Sequence, residues 1–396
     1  MKIYKYQIES ALILLLCMDV TYLNELFHKL PFIQYVGRCV LLVYLLINSI
    51  YQIKHKKYRV SGVLKSIIIF VLWIFWMTFI REGEVTECFK IFSAPLLVCF
   101  YIDQKRNNIQ IYKCLLVWTK ILFIFVFIDF LTQIAFPNGI YRDSMYALNW
   151  FLGYKTSRLA YTLPLCVFSS IVSMWRNGKI IWKTWSCYLL SIFTLFYSQA
   201  TAASVTVLMT CILINLICIN RKGRFKERIW EKLLDFKFVL ILYTIISILV
   251  VYVQNSPQIQ YILVNVLHKD PTLTTRTYIW KLCISSLAQH PLTGLGYLNT
   301  LDYQNLTNNP YATSAHNMSL SILISGGFIA ICIYIAIFFM AWRGFKKNAN
   351  VEKKISSIAV IALLVVGMTS SAMVFSTCAF IFYELMEILD RCRLEH

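Results

Sequence analysis

The sequence predicts an all-α, polytopic membrane protein of about twelve transmembrane helices, and three observations carry the prediction. First, 59% of the 396 residues are hydrophobic and the mean hydropathy is +0.64, which suits a chain whose solvent is mostly lipid. Second, apolar runs long enough to cross roughly 30 Å of hydrocarbon recur along the whole length, so residues 1–396 read as a single integral membrane domain. Third, the basic residues fall in short clusters between those runs: Lys54, Lys56, Lys57 and Arg59; Lys105 and Arg106; Arg176, Lys179 and Lys183; Arg221 to Arg228; Arg343 to Lys354; Arg391 and Arg393. That is the positive-inside pattern. A net charge of +19 is also a footprint of nucleic-acid binding, but its confinement to these clusters points to cytoplasmic loops and anionic lipid, and no nucleic-acid partner is expected.

In chain order, spans are expected at 7–24, 31–53, 61–80, 88–102, 109–136, 158–175, 184–198, 201–219, 238–254, 314–341, 355–371 and 373–390. The first follows Lys2 and Lys5 with no small-residue cleavage site after it, and reads as an uncleaved span. Twelve crossings put both termini in the cytoplasm with every basic cluster. The loops 81–87, 137–157 and 254–313 then face outward from the cytoplasmic (inner) membrane. Thirteen cysteines are present, nearly all inside apolar segments and none in CxxC or Cys/His ligand spacing. They read as small buried hydrophobes, not as a disulfide framework.

The late outer loop, 254–313, is where the chain stops being apolar. Thr274 and Thr275 are N-cap residues for an amphipathic helix over about 275–289, in which Ile279, Leu282, Cys283 and Leu287 recur at helical spacing and Pro291 stops the pattern. Arg276 sits at that helix start, where unpaired N–H groups and the dipole favour an anion. Its guanidinium forks onto phosphate oxygens better than a single Lys; the alternative is an interfacial Arg against lipid headgroups or a neighbouring helix end. Gly294 and Gly296 permit close backbone approach to a ligand, or simply a tight turn after the helix. His290 reads as a helix-end residue. The segment 297–311, with Tyr303, is rich in Asn and Tyr, either as a glycan-contacting surface or as a solvated loop. His316, followed by Asn317, stands at the entrance of the next span, where an imidazole suits proton transfer or anion contact; a structural histidine is the bland alternative. Asp302 and Asp143 are the other outer-loop proton acceptors.

The earlier outer loop, 137–157, holds Arg142 and Gly153, followed by Lys155 and Arg158; these add cations to the same mouth or form a basic rim at the headgroups. Within the spans, Arg38, Lys120 and Asp129 are costly unless they face the bundle interior, a cavity or one another. No GxxxxGK[ST], HExxH or DxD-like pattern occurs. Nucleotide donors are cytoplasmic, so an outward site with diphosphate-binding features draws on a lipid-carried donor. Its leaving group is stabilised by fixed cations and amides, with no metal and no cofactor expected.

The set Arg276, Trp280, His290-Pro291, Gly294, Gly296, His316-Asn317 and Gly326-Gly327 resembles the O-antigen polymerase and ligase superfamily, most strongly over about 275–330. The resemblance implies a GT-C-like helical bundle with a large late extracytoplasmic loop, acting on undecaprenyl-pyrophosphate-linked oligosaccharide. It implies that Arg276 is the pyrophosphate-binding Arg, that His316 is the family His, and that Arg142 with Gly153 is an Arg-x10-Gly element. The expected catalytic pair is Arg276 and His316; the expected substrate contacts are Arg142, Gly153, Arg158, Thr275, Gly294, Gly296, Tyr303 and Asn317. Where relatives show Ser-Arg at a span start this chain has Ser198-Gln199, so that cation is missing or is supplied by Arg158 or another residue. The function implied is a metal-independent, inverting polymerase of capsular polysaccharide or O-antigen, with a chain-length regulator and a flippase as partners. An O-antigen ligase is the nearest alternative; a transporter or flippase, lacking evident inverted repeats here, is the more distant one.

Overall fold

Apolar length and polar punctuation lay out the helices in the computed structural model, which describes residues 5–55, 58–106, 109–144, 147–219, 235–252, 265, 276–310, 312–368, 370 and 375–389. The helices before the ribbon are α1 (Lys5–Cys17), α2 (Thr21–Leu26), α3 (Leu30–Lys54), α4 (Gly62–Ile80), α5 (Val85–Gln104) and α6 (Gln110–Ala135). Three short strands follow: β1 (Tyr141–Ser144), β2 (Ala147–Trp150) and β3 (Gly153–Tyr154). Then come α7 (Leu159–Asn177), α8 (Trp182–Tyr197), α9 (Thr201–Ile219), α10 (Phe236–Tyr252), α11 (Arg276–Leu287), α12 (Thr300–Thr307), α13 (Met318–Lys347), α14 (Val351–Gly367) and α15 (Thr377–Ile388).

Each expected span contains a helix, and seven of the described helices (α3, α4, α5, α6, α7, α9 and α13) are long and apolar enough to cross a membrane. The first span stops short of its expected end. α1 ends at Cys17, and α3 side chains meet carbonyls at and just past that end: Gln34 Nε2 donates to Leu15 O and Met18 O at 3.3 and 3.0 Å, and Arg38 Nε donates to Leu16 O at 2.6 Å. Those carbonyls have no partner within the helix itself. The three intramembrane charges do not pair with one another: Arg38 engages α1, Lys120 is exposed, and Asp129 binds Arg158.

Polar caps set several starts. Ser61 Oγ accepts from Leu64 N at 3.0 Å, and Asn350 Oδ1 accepts from Lys353 N at 2.8 Å, supplying acceptors that the first helical turns lack. The core is one large apolar cluster in which α4 packs on α13 and α5, α6 on α7, and α15 on α5, α13 and α14. Apolar residues along α3, such as Phe32, Val40 and Ile47, stay exposed on the outside of the bundle, as lipid-facing side chains do. The Ser198-Gln199 turn between α8 and α9 places Gln199 in the left-handed region, φ +55°.

The loop expected at 137–157 folds into an antiparallel ribbon in the order β1, β2, β3, the one sheet among the described residues. Its pairing gives backbone groups outside the helices the partners they require. The ribbon sits over the end of α6: Trp150 Nε1 donates to Phe136 O at 2.8 Å, and Leu152 N donates to Asp129 Oδ1 at 2.8 Å.

Candidate functional site

Arg276 is the first described residue of α11, a helix too short to span and anchored by one face. Ile279, Trp280 and Cys283 bury against Tyr303 of α12, Ala312, Ala315, and Leu320 and Ile324 of α13 in a satellite core. The decisive contact is polar. Trp280 Nε1 donates to Ala315 O at 2.7 Å, so the turn of helix below Arg276 is tied to the residue preceding His316. A buried indole N–H requires such a partner, and here the partner sets the distance between two segments 35 residues apart.

His316 is held by its backbone. Its φ of +50° lies in the left-handed region, uncommon for a non-glycine residue and concentrated at functional sites. Ser314 Oγ accepts from His316 N at 3.3 Å and lies 3.5 Å from Nδ1. Among the described residues Nε2 has no hydrogen-bond partner. Asn317 follows as the cap of α13: Oδ1 accepts from Leu320 N and Nδ2 donates to Met368 O, both at 3.0 Å. Its amide is therefore engaged on both sides and buried.

Electrostatics couple the pair. Burial first, and the Arg276 charge second, push the His316 imidazole down to about 4, so the ring is neutral near pH 7. Burial lowers Arg276 from its usual value while neighbouring Tyr154 acts to raise it, and the guanidinium remains a cation. Tyr154 belongs to β3, so the ribbon closes a third side. Gly153 beside it has φ +91°, and a Cβ there would meet Thr21 Oγ1 at 2.3 Å; the glycine lets the ribbon pass against α2.

The glycine turn docks on protein. Gly294, φ +72°, faces Ile324 O and the backbone nitrogens of Gly326 and Gly327, all within 2.7 Å of any added Cβ. α13 is broken there: Gly327 has φ +66° and ψ −164°. The groups freed by the break bond the loop instead, with Leu295 N to Ile324 O at 2.7 Å and Phe328 N to Pro291 O at 2.9 Å. Gly296 packs on Thr78 of α4, whose Oγ1 accepts from Tyr297 N at 2.8 Å. The close approach expected of Gly294 and Gly296 toward a ligand is thus made to this chain's own backbone.

Arg158 is wholly buried, with Nε 2.6 Å from Asp129 Oδ2 and its guanidinium carbon 4.8 Å from the Trp150 ring centre. Its two terminal nitrogens are buried without a hydrogen-bond partner among the described residues. Arg142 stands exposed on β1, paired across the ribbon with Leu148, and no hydrogen bond or ion pair among the described residues joins it to Arg276. Tyr303 is a core residue of the satellite cluster. Asp302 closes a capping box with Asn299 at the start of α12. His290 accepts from Gly294 N through its carbonyl at the helix end. Thr274, Thr275 and most of 254–275 lie outside the described residues, as does Asp143's side chain. The Asp129–Arg158 pair escaped sequence reasoning because its members sit 29 residues apart on different elements; the cost of an isolated Asp in a span was its one signal.

A half-buried cation stands beside a neutral imidazole at one end of a helical bundle, an arrangement able to meet negative charge and to accept a proton. Residues 186–335 match the Wzy_C family model, described as O-antigen ligase. The family implies a glycan-transferring enzyme with lipid-linked oligosaccharide substrates in a membrane. The match takes in Arg276 and His316 and excludes Arg142, Gly153 and Arg158. No curated protein matches the chain.

Proposed function

We propose that the chain is a polymerase of capsular polysaccharide or O-antigen. It moves a growing glycan from undecaprenyl pyrophosphate to a lipid-linked repeat unit at the outer face of the cytoplasmic membrane, in a GT-C-like bundle of about twelve spans. The observation that carries this reading is the placement of Arg276 beside His316 by the Trp280–Ala315 bond. The distribution of basic clusters supports an outward site and cytoplasmic termini.

In this reading Arg276 grips the pyrophosphate of the donor, and Arg142 on the exposed ribbon adds a second cation. The acceptor hydroxyl donates to His316 Nε2. A ring held near 4 is a weak base, but diphosphate bound at Arg276 offsets the cation's charge and raises the imidazole's proton affinity as the substrates assemble. One displacement follows: the hydroxyl oxygen bonds to the anomeric carbon, the bond from that carbon to the phosphate oxygen breaks with inversion, and the hydroxyl proton passes to His316. The lipid pyrophosphate leaves with its charge met by Arg276, a step that needs no metal. A chain-length regulator and a flippase complete the expected partners.

Arg276→Ala should abolish chain elongation while protein level and lipid-linked repeat units persist; normal polymer lengths in that variant would sink the proposal. The matched family's description favours a second reading, a ligase differing only in acceptor. Loss of a polymerase leaves single repeat units on the carrier, whereas loss of a ligase accumulates finished lipid-linked polymer.

A further inference from the structure

We propose that the cavity enclosed by α1, α3, α5, α7 and α15 binds a phosphate-headed lipid through Arg38, and that this lipid carries the acceptor glycan. The second half of the inference rests on the polymerase reading; the first does not.

The cavity has a volume of about 740 Å3, within the range that holds small ligands. Asp19, His28, Glu87 and Lys90 line it together with buried apolar side chains including Leu14, Leu122 and Phe168, and with the exposed Phe32 at its open side. Arg38 also lines it. It lies eight residues past the start of α3, roughly 12 Å along the helix at about 1.5 Å per residue. A cation at that depth is expensive without an anionic partner. Arg38 uses Nε on Leu16 O, which leaves the rest of a five-donor fork, and no described carboxylate is within ion-pair range of it. The acids lining the cavity are already engaged: Glu87 with Lys90 at 2.5 Å, and Asp19 with Asn24. The complementary ligand is an anion with an apolar tail, and the phosphate head of a membrane lipid is the one such anion delivered laterally. The wall on that side is α3, whose outer face of exposed apolar residues meets the bilayer.

Placement identifies the lipid. The cavity and the Arg276–His316 pair lie at the same end of the bundle, on two sides of β3. Gly153 packs on Thr21 near the cavity rim, while Tyr154 interacts with Arg276. Tyr161 and Tyr297 line the cavity, Tyr161 bonding Asp19 O at 2.7 Å and Tyr297, which follows the glycine turn, donating its N–H to Thr78 Oγ1. A transferase that joins two lipid-borne glycans needs two headgroups held side by side. With the leaving pyrophosphate at Arg276, the cavity takes the other.

The test uses the full chain in phosphatidylcholine nanodiscs and a polyprenyl diphosphate bearing a diazirine on its first isoprene unit, with labelled peptides mapped. Labelling is expected on the segments carrying Leu14 and Leu122, reduced about tenfold in Arg38→Gln, which keeps a donor for Leu16 O but removes the charge. Ala94→Phe, which fills the cavity and leaves Arg38 in place, should reduce it as well. Labelling should persist in Arg276→Ala and resist excess phosphatidylglycerol. Labelling elsewhere only, or labelling indifferent to both cavity variants, would overturn the lipid site, and equal competition by phosphatidylglycerol would overturn the acceptor assignment. Failure of the polymerase reading looks different: normal polymer in Arg276→Ala, with cavity labelling intact.

Discussion

Trp280 and Ala315 are joined by a 2.7 Å hydrogen bond from indole to backbone carbonyl, which ties the helix that begins at Arg276 to the residue preceding His316. Trp280→Phe keeps most of the packing but leaves a fully buried carbonyl unpaired, a cost of about 1–3 kcal/mol. The expected outcome is shortened polymer at normal membrane abundance. Gel profiles of extracted glycan against immunoblotted protein check it, and wild-type chain length in Trp280→Phe would show that the bond does not position the pair.

Removing the Arg276 charge should change the histidine in a defined direction. Arg276 is the second cause of the His316 depression and burial the first, so in Arg276→Ala the ring should titrate above its present value of about 4 yet below 6.5. Nuclear magnetic resonance of selectively labelled histidine in detergent reads this directly. An unchanged titration would place the guanidinium too far away to act on the ring.

His316 also predicts the sign of an acid sensitivity. Its folded value lies below the unfolded one, so between about 4 and 6.5 the unfolded chain binds more protons, and stability falls as pH is lowered through that window. Above it the histidine contributes no pH dependence. The unfolding temperature of wild type should therefore fall relative to that of His316→Gln as pH drops from 7 to 4; parallel curves would contradict the depressed value.

Asp129 holds Arg158, Gln133 and the Leu152 N–H at once, at 2.6, 2.7 and 2.8 Å. Asp129→Ala strands a buried guanidinium and releases the ribbon, and breaking such a pair costs about 3–5 kcal/mol. Thermal aggregation in detergent should drop sharply for Asp129→Ala and much less for the exposed Arg142→Ala. Equal stability of the two variants would refute the clamp.

Gly327→Ala should disrupt the seat of the glycine turn, because its Cβ would lie 2.2 Å from the Leu292 carbonyl and its φ is +66°. Protease cleavage near residues 290–296 is the readout, expected to rise in Gly327→Ala and to stay at wild-type level in Phe328→Ala, whose side chain is exposed.

Periodicity and capping made much of this legible. The α11 helix, its break after Leu287, and the entrance position of His316 all follow from apolar spacing, Pro291 and the onset of the next apolar run. The roles of single polar residues were less legible. Asn317 and Asp302 serve as caps, Gly294 seats on the break in α13 and Gly296 packs on α4, because a polar or glycine residue meets the same local chemistry whether its partner is ligand or backbone.

By itself, the sequence determined the helical membrane architecture, the residues eligible for the site and the charge placed at the start of α11, since hydrophobic length and helix-end chemistry are local. Tertiary structure alone decided which of those residues meet. A satellite core and the Trp280–Ala315 hydrogen bond join the helix of Arg276 to the segment of His316, a carboxylate 29 residues away withdraws Arg158 into the core, and the folding of α3 against α1 leaves Arg38 facing a cavity. Partnership across 20 or more residues is set by packing geometry, which no local pattern encodes.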